Sequence, residues 1–299
     1  MPSRLWLGAL ALIAAPAQAS VCEGQIAFLH HVMAVIDRET ADAVSRSDAL
    51  RRFASLEIRT TLIPGKEPWA GRYVNMTHNY LELFGPGDSG DDSPVGSIGL
   101  AIGGDAPGVT DRIETRLRGA GAEPDRRMTQ RTLGGRTVDW FASVRTAQPV
   151  VQARAPVVKA WSVEFQRAFF AAPEARRAPS QGPQDMVSRR RYLADAYKGS
   201  PLADISGITL SMSEASYRHD VLPLLAAAGF CIETRGKRVH AWGGEADIRI
   251  RFVDAAAARL DRVDFALSTR VPSPTTLTLG ASTLRIGPGR RATWRFDRR

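Results

Sequence analysis

The sequence predicts an α+β fold assembled from repeated βαβββ modules, and three observations predict it. Short apolar or alternating runs of strand length outnumber helical stretches, a helical stretch follows one strand and precedes three, and this order recurs along the chain. With 299 residues, 44% of them hydrophobic and 24% charged, the chain can bury the core of two ordinary domains or one large one.

The first nineteen residues stand apart from that pattern. Arg4, the apolar run 5–15, Pro16 and the small-residue site Ala17-Gln18-Ala19 have the layout of a secretory signal peptide cut before Ser20. No other apolar run approaches the ~20 residues that a membrane helix needs. The expectation is a periplasmic or secreted protein without stable membrane insertion after cleavage. In such an oxidising compartment Cys22 and Cys231, the two cysteines, can form one disulfide or stay as separate thiols.

From residue 26 the elements follow in order. Residues 26–36 read as a strand, and Asp37 can cap a helix over about 38–53 with Ala41, Val44 and Leu50 on its apolar side. Residues 56–63 alternate apolar and polar as a strand, Pro64 to Pro68 break it, and 71–76 and 80–84 supply two more. After a Gly/Asp/Ser/Pro loop over 85–94 the order recurs: a strand at 97–102, then a helix at 109–119 with Val109, Ile113 and Leu117 on one face. Strands at 128–133, 137–144 and 157–165 follow, the first two joined by Gly134-Gly135. Residues 20–171 therefore form an N-terminal module pair, and 172–200, rich in proline with Arg189-Arg190-Arg191, read as a linker.

The C-terminal pair, 201–299, is degenerate. A third unit has a strand at 205–210, a helix at 214–228 closed by Gly229, and strands at 231–234, 238–242 and 247–252. The last unit, with strands at 263–267 and within 275–296, lacks its helix.

The formal charge of +9 permits a nucleic-acid or anionic-membrane partner, but the basic residues are mostly scattered single arginines without interleaved aromatics, so no nucleic-acid partner is expected. A Gly-rich phosphate loop, a serine nucleophile elbow and a zinc-protease helix are all missing from the sequence. What asks for an explanation is ionisable residues inside apolar strands. His30 and His31 interrupt the first strand and Glu82 interrupts 80–84, where an unpaired polar group costs several kcal/mol.

With those two strands the chain resembles the glyoxalase and extradiol-dioxygenase (vicinal oxygen chelate) superfamily, within it a bacterial glyoxalase-like family of unknown function. The resemblance implies modules paired into curved mixed sheets, with metal ligands on the first and last strand of each module. Carried over residue by residue, it puts His31 at the first-strand position and Glu82 at the last-strand position of module one, and Glu164 at the last-strand position of module two. Residues 98–100 offer no ligand and Ser206-Gly207 is empty too, so the second histidine of a dioxygenase triad is missing.

One imidazole and two carboxylates would suit one divalent ion (Zn, Mn, Fe or Ni), with Glu82, Glu164 and His78 as candidate catalytic groups. The other reading is no cofactor, His31 and Glu82 hydrogen-bonding in a metal-free pocket. Extending the strand back would turn His78, Tyr80 and Glu82 to one side, while His30 should point away from His31. Tyr80, Tyr73 and Trp161 are the candidate substrate contacts, and Trp69, Trp140 and Phe165 could join an apolar lining. His219 reads as surface, and His240 as structural or lining a second cavity. The functional expectation is an exported protein that binds a small carbonyl-bearing or apolar molecule, either as a metal-dependent lyase or isomerase or as a metal-free sequestering protein, with a homodimer permitted.

Overall fold

The computed structural model describes residues 24–63, 65, 67–146, 155–175 and 178–296. The expected signal peptide and Cys22 lie outside them. Cys231 is disulfide-bonded.

Sixteen strands form two eight-stranded sheets among the described residues. In the first module β1 (Phe28–Val35) is followed by helices α1 (Arg38–Arg46) and α2 (Asp48–Arg51), then β2 (Ser55–Thr61), β3 (Trp69–Asn75) and β4 (Tyr80–Phe84). The second runs β5 (Ile98–Gly103), α3 (Val109–Gly119), β6 (Pro124–Leu133), β7 (Arg136–Thr146) and β8 (Val158–Phe165). Their sheet order is β2-β3-β4-β1-β5-β8-β7-β6. Helical crossovers return the chain to the start of the sheet, so β1 lies parallel to β4 and β5 parallel to β8, while β1 and β5 meet antiparallel at the centre.

Local chemistry sets most boundaries. Asp37 caps α1, its carboxylate accepting from the backbone N–H of Thr40 at 2.9 Å. The single helix expected over 38–53 is two, because Ser47 breaks off and caps α2 by accepting from the Leu50 N–H at 3.0 Å. Two short helices within and beside the expected linker were not foreseen, α4 (Arg167–Ala171) and α5 (Arg189–Leu193).

The third module runs β9 (Leu202–Met212), α6 (Glu214–Ser216), a π turn at Tyr217–Val221, α7 (Leu222–Ala228), β10 (Cys231–Arg235), β11 (Arg238–Trp242) and β12 (Asp247–Phe252). Pro223 has no N–H to return to the helix, and the carbonyl of His219 is met instead by the Thr146 hydroxyl at 3.1 Å. The fourth comprises β13 (Arg259–Val271), β14 (Thr275–Leu279), β15 (Ser282–Ile286) and β16 (Gly289–Phe296), without a helix as expected.

That loss has a topological consequence. A short connection reverses the chain where a helix would have carried it back, so the following strands all run the other way. As a result β16 pairs antiparallel with β13, whereas β12 pairs parallel with β9.

The two halves share one apolar core. Val44 of α1, Ile113 and Leu117 of α3, Leu224 and Leu225 of α7 and Trp294 of β16 belong to a single buried cluster. The turn between β14 and β15 meets α1: Gly280 sits against the backbone of Thr40, and the Thr40 hydroxyl accepts from the Ala281 N–H at 2.9 Å.

Segment 172–200 carries a buried clasp. Arg189, fully buried, donates to Asp105 at 2.8 and 2.9 Å, to Glu245 at 2.9 and 3.1 Å and to the Leu29 carbonyl at 2.9 Å. One guanidinium thus joins module one, module two and the C-terminal half.

Candidate functional site

Strand alternation sends the side chains of one face of the first sheet into the shared core and the others into an open cup. Two cross-strand rows make its floor. Tyr73, Glu82, Met33 and Gly99 lie opposite one another in one, and Tyr80, His31, Ala101 and Trp161 in the other. Trp140, Phe165 and Tyr192 close the sides of a pocket of about 240 Å³, and Trp69 lines it too. All the aromatic residues named as candidates from sequence meet here.

Gly99 makes this possible. A Cβ there would sit 2.7 Å from the Trp161 ring, so glycine lets the indole lie over β5. The first-strand position of module two, which offers no ligand in sequence, is covered by an aromatic ring.

His30 corrects a sequence expectation. The register of β1 against β5 slips between Leu29 and His31, a bulge that adds His30 as an extra residue and turns it into the cup instead of away. The Nδ1 atoms of His30 and His31 are 2.8 Å apart, so one of the two rings carries its proton there and the other accepts. His31 stacks on Tyr80 with ring centres 4.5 Å apart and meets Trp161 edge-on at 5.3 Å. The Nε2 of His30 is buried without a partner.

The electrostatics follow from burial. Desolvation lowers His31 to about 3, and lowers His30 as well, with help from His31 and Arg189. Both imidazoles are neutral at physiological pH. Desolvation pushes Glu82 up to about 7, against the opposing pull of Tyr73, Arg59 and Trp69. Its Oε2 lies 3.8 Å from His31 Nε2, an approach without a close hydrogen bond. Tyr73 and Tyr80 are raised, chiefly by burial and secondly by Glu82.

Arg59 supplies the one cation facing this cup among its described lining residues, over the Tyr73 ring at 4.3 Å; its Nη1 pairs with Glu57 at 3.2 Å and its Nε is buried and unpartnered. Arg59, Tyr73, Tyr80 and Tyr192 also line an adjoining cleft of about 850 Å³ walled by Arg51, Arg52, Arg131 and Lys198. Sequence reasoning passed over Arg59 and Tyr192. The alternation of 56–63 was the available signal for Arg59, whereas nothing local marks Tyr192, which reaches Phe165 from a distant segment with rings stacked at 3.9 Å.

Two other candidates stand elsewhere. Trp161, Val163 and Phe165 face the pocket, so Glu164, between them, faces away. Its carboxylate accepts from the N–H groups of Gly108 at 2.9 Å and Thr110 at 2.7 Å, supplying the cap that Gly108 cannot give α3. His78 precedes β4 rather than extending it. Its ring and backbone N–H hold Asp204 at 3.1 and 2.8 Å, a contact with the C-terminal half. Neither reaches His31 and Glu82.

The donor set does not fit the divalent ion that the resemblance implied. Glu164 is spent on a helix, the histidines turn their Nδ1 atoms to each other, and no group of three His, Cys, Asp or Glu converges among the described residues.

Comparison with known proteins gives a family. A model described as "Family of unknown function (DUF5829)" matches residues 29–296. No curated protein matches the chain. Among solved structures, a hypothetical protein from Staphylococcus aureus is similar with a TM-score of 0.54 at 10% identity, over 88% of this chain and 100% of that one. A Mn(II)-bound glyoxalase from Novosphingobium aromaticivorans gives 0.38 at 12% identity, over 89% and 80%. An extradiol ring-cleaving dioxygenase from B. fuscum gives 0.36 at 14%, over 82% and 57%. The likeness to the Staphylococcus aureus protein is one of fold alone, two eight-stranded sheets built from βαβββ modules in this chain.

Proposed function

The chain belongs to the DUF5829 family, whose description names no activity, and we propose that it is an exported protein that binds a small aromatic, carbonyl-bearing molecule without a metal. The observation that carries this reading is Glu82, a buried carboxyl pushed up to about 7 on the floor of an aromatic pocket. A planar ring can stack among His31, Tyr80 and Trp161. Protonated Glu82 can then donate to its carbonyl oxygen, and the Arg59 Nε–H, left over from the pair with Glu57, can donate to a polar substituent. The pocket of about 240 Å³ is smaller than the usual drug-sized site, which favours a single ring with a short substituent.

The same carboxyl favours a second reading, an isomerase. A group that titrates near neutral pH is suited to take a proton from the carbon beside a carbonyl and return it elsewhere on the same skeleton. This needs no oxidant and leaves the ligand's composition unchanged.

The test is titration of the full chain with acetophenone and 4-hydroxybenzaldehyde, followed by tryptophan fluorescence and thermal shift at pH 6 and pH 8. Saturable binding should be tighter at pH 6, lose its pH dependence in Glu82→Gln, and weaken at least tenfold in Trp161→Ala. Absence of saturable binding, or binding untouched in both Trp161→Ala and Tyr80→Ala, would overturn the reading. Proton exchange at the carbon beside the carbonyl of acetophenone, seen by NMR in heavy water and lost in Glu82→Gln, would separate catalysis from binding alone.

A further inference from the structure

The open face of the second sheet occupies the place that the aromatic cup occupies on the first, and its chemistry is opposite. One cross-strand row runs Glu233, His240, Arg249, Thr209, Arg262, Arg295. The next brings Arg235, Arg238 and Arg251 opposite one another and on to Ser211 and Arg259. These residues curve round a cavity of about 680 Å³ whose lining has seven arginines against two carboxylates, Glu233 and Asp261. From this concentration of guanidinium groups we infer that the second sheet is a binding site for a small, multiply charged oxyanion, one carrying three or more negative charges on clustered phosphate or carboxylate groups.

Ion pairing within the face does not consume its donors. Five of the seven arginines are paired: Arg235 with Glu233 at 2.6 Å, Arg249 with Asp247 at 2.7 Å and Arg262 with Asp264 at 2.6 Å, each with a carboxylate two residues along the same strand, and Arg259 and Arg251 with Asp261 at 2.8 and 3.5 Å. Each guanidinium has five N–H donors and one carboxylate uses at most two of them, so these pairs leave donors unspent on every arginine that lines the cavity. Arg238 and Arg295 have no carboxylate partner among the described residues. Like charges on directly opposite strands repel, and Arg238 stands opposite Arg251 as Arg262 stands opposite Arg295. An anion bridging the strands would relieve that repulsion.

Size decides between a small ligand and a polymer. The cavity is cupped by the sheet's curvature and falls within the range of small-molecule sites, whereas a nucleic-acid strand needs an extended basic groove with stacking platforms. His240 and Phe296 are the aromatic rings in its lining, too few to track successive bases.

The experiment is isothermal titration of the full chain with inorganic tripolyphosphate and, separately, citrate at about 0.15 M salt, where weak surface attraction is screened. Saturable one-to-one binding of either ligand supports the site, and the preferred ligand tells phosphate from carboxylate chemistry. Arg249→Ala and Arg295→Ala, both at exposed side chains, should each weaken it at least tenfold, while Arg46→Ala, an exposed arginine on α1, should leave it unchanged. Thermal melting of each variant checks that it folds, and either of the two reads the site if the other does not. No saturable binding of either anion, an equal loss in Arg46→Ala, or tight binding of a single-stranded DNA oligonucleotide with none of tripolyphosphate or citrate would overturn the inference.

Discussion

Glu82 and the two histidines beside it pull on stability in opposite directions as pH changes. His30 and His31 are lowered, so between their unfolded value and their folded ones the unfolded chain binds more protons, and stability falls as pH drops below about 6.5. Glu82 is raised to about 7, so between the unfolded and folded values the folded chain holds the extra proton, and stability falls as pH rises towards 7. Between about pH 4.5 and 6.5 one histidine is offset by the glutamate and the other is not. Urea unfolding of Glu82→Gln should therefore depend more steeply on pH in that window than the wild type, by about 1.4 kcal/mol per pH unit. The same slope in variant and wild type would mean that Glu82 titrates normally. Glu164→Ala is the contrasting substitution. It should cost about 1–2 kcal/mol in urea unfolding by uncapping α3, and leave ligand affinity in the cup unaltered.

At the scale of the element, the cup depends on a bulge and a glycine. The slip in β1 turns two consecutive histidines towards one pocket, which regular alternation forbids, and the bareness of β5 at Gly99 admits the Trp161 ring. Gly99→Ala places a methyl 2.7 Å from that ring, and the indole must move. The expected result is a destabilisation of about 1–3 kcal/mol from overpacking, with at least a tenfold loss of aromatic-ligand affinity by fluorescence titration. Retained affinity would mean that Trp161 contributes little to the site. Sheet direction is also decided element by element, since the crossover helix that keeps β12 parallel to β9 has no counterpart between β13 and β14.

Across the whole molecule the halves are joined by a common core and by the Arg189 clasp. Removing Asp105 leaves a fully buried guanidinium with half of its carboxylate partners gone. Asp105→Ala should lower stability by on the order of 3 kcal/mol in urea unfolding. The α5 segment that carries Arg189 also brings Tyr192 onto Phe165, so the same variant should weaken ligand binding in the cup without any change to its floor. A loss of stability with unaltered binding would separate the clasp from the pocket. The two sheets offer opposite open faces, one aromatic with a single arginine and the other arginine-rich, and this polarity places the two proposed ligands on different halves of the chain.

By itself the sequence determined the α+β class, the order of the strands, the helix after the first strand of each of the first three modules and the missing fourth helix, and it marked His31 and Glu82 as buried ionisable residues, because periodicity, caps and a charge within an apolar run are local signals. The resemblance alone put Glu164 among the ligands, although alternation from Trp161 already puts it on the other face, where it caps α3. Tertiary structure alone decided that His30 joins the site, that His78 serves a contact between halves, and that an expected linker supplies both the Arg189 clasp and Tyr192 in the wall of the pocket. The reason is distance along the chain: a bulge is set by the partner strand, and the Arg189 and Tyr192 contacts join segments that no local pattern relates.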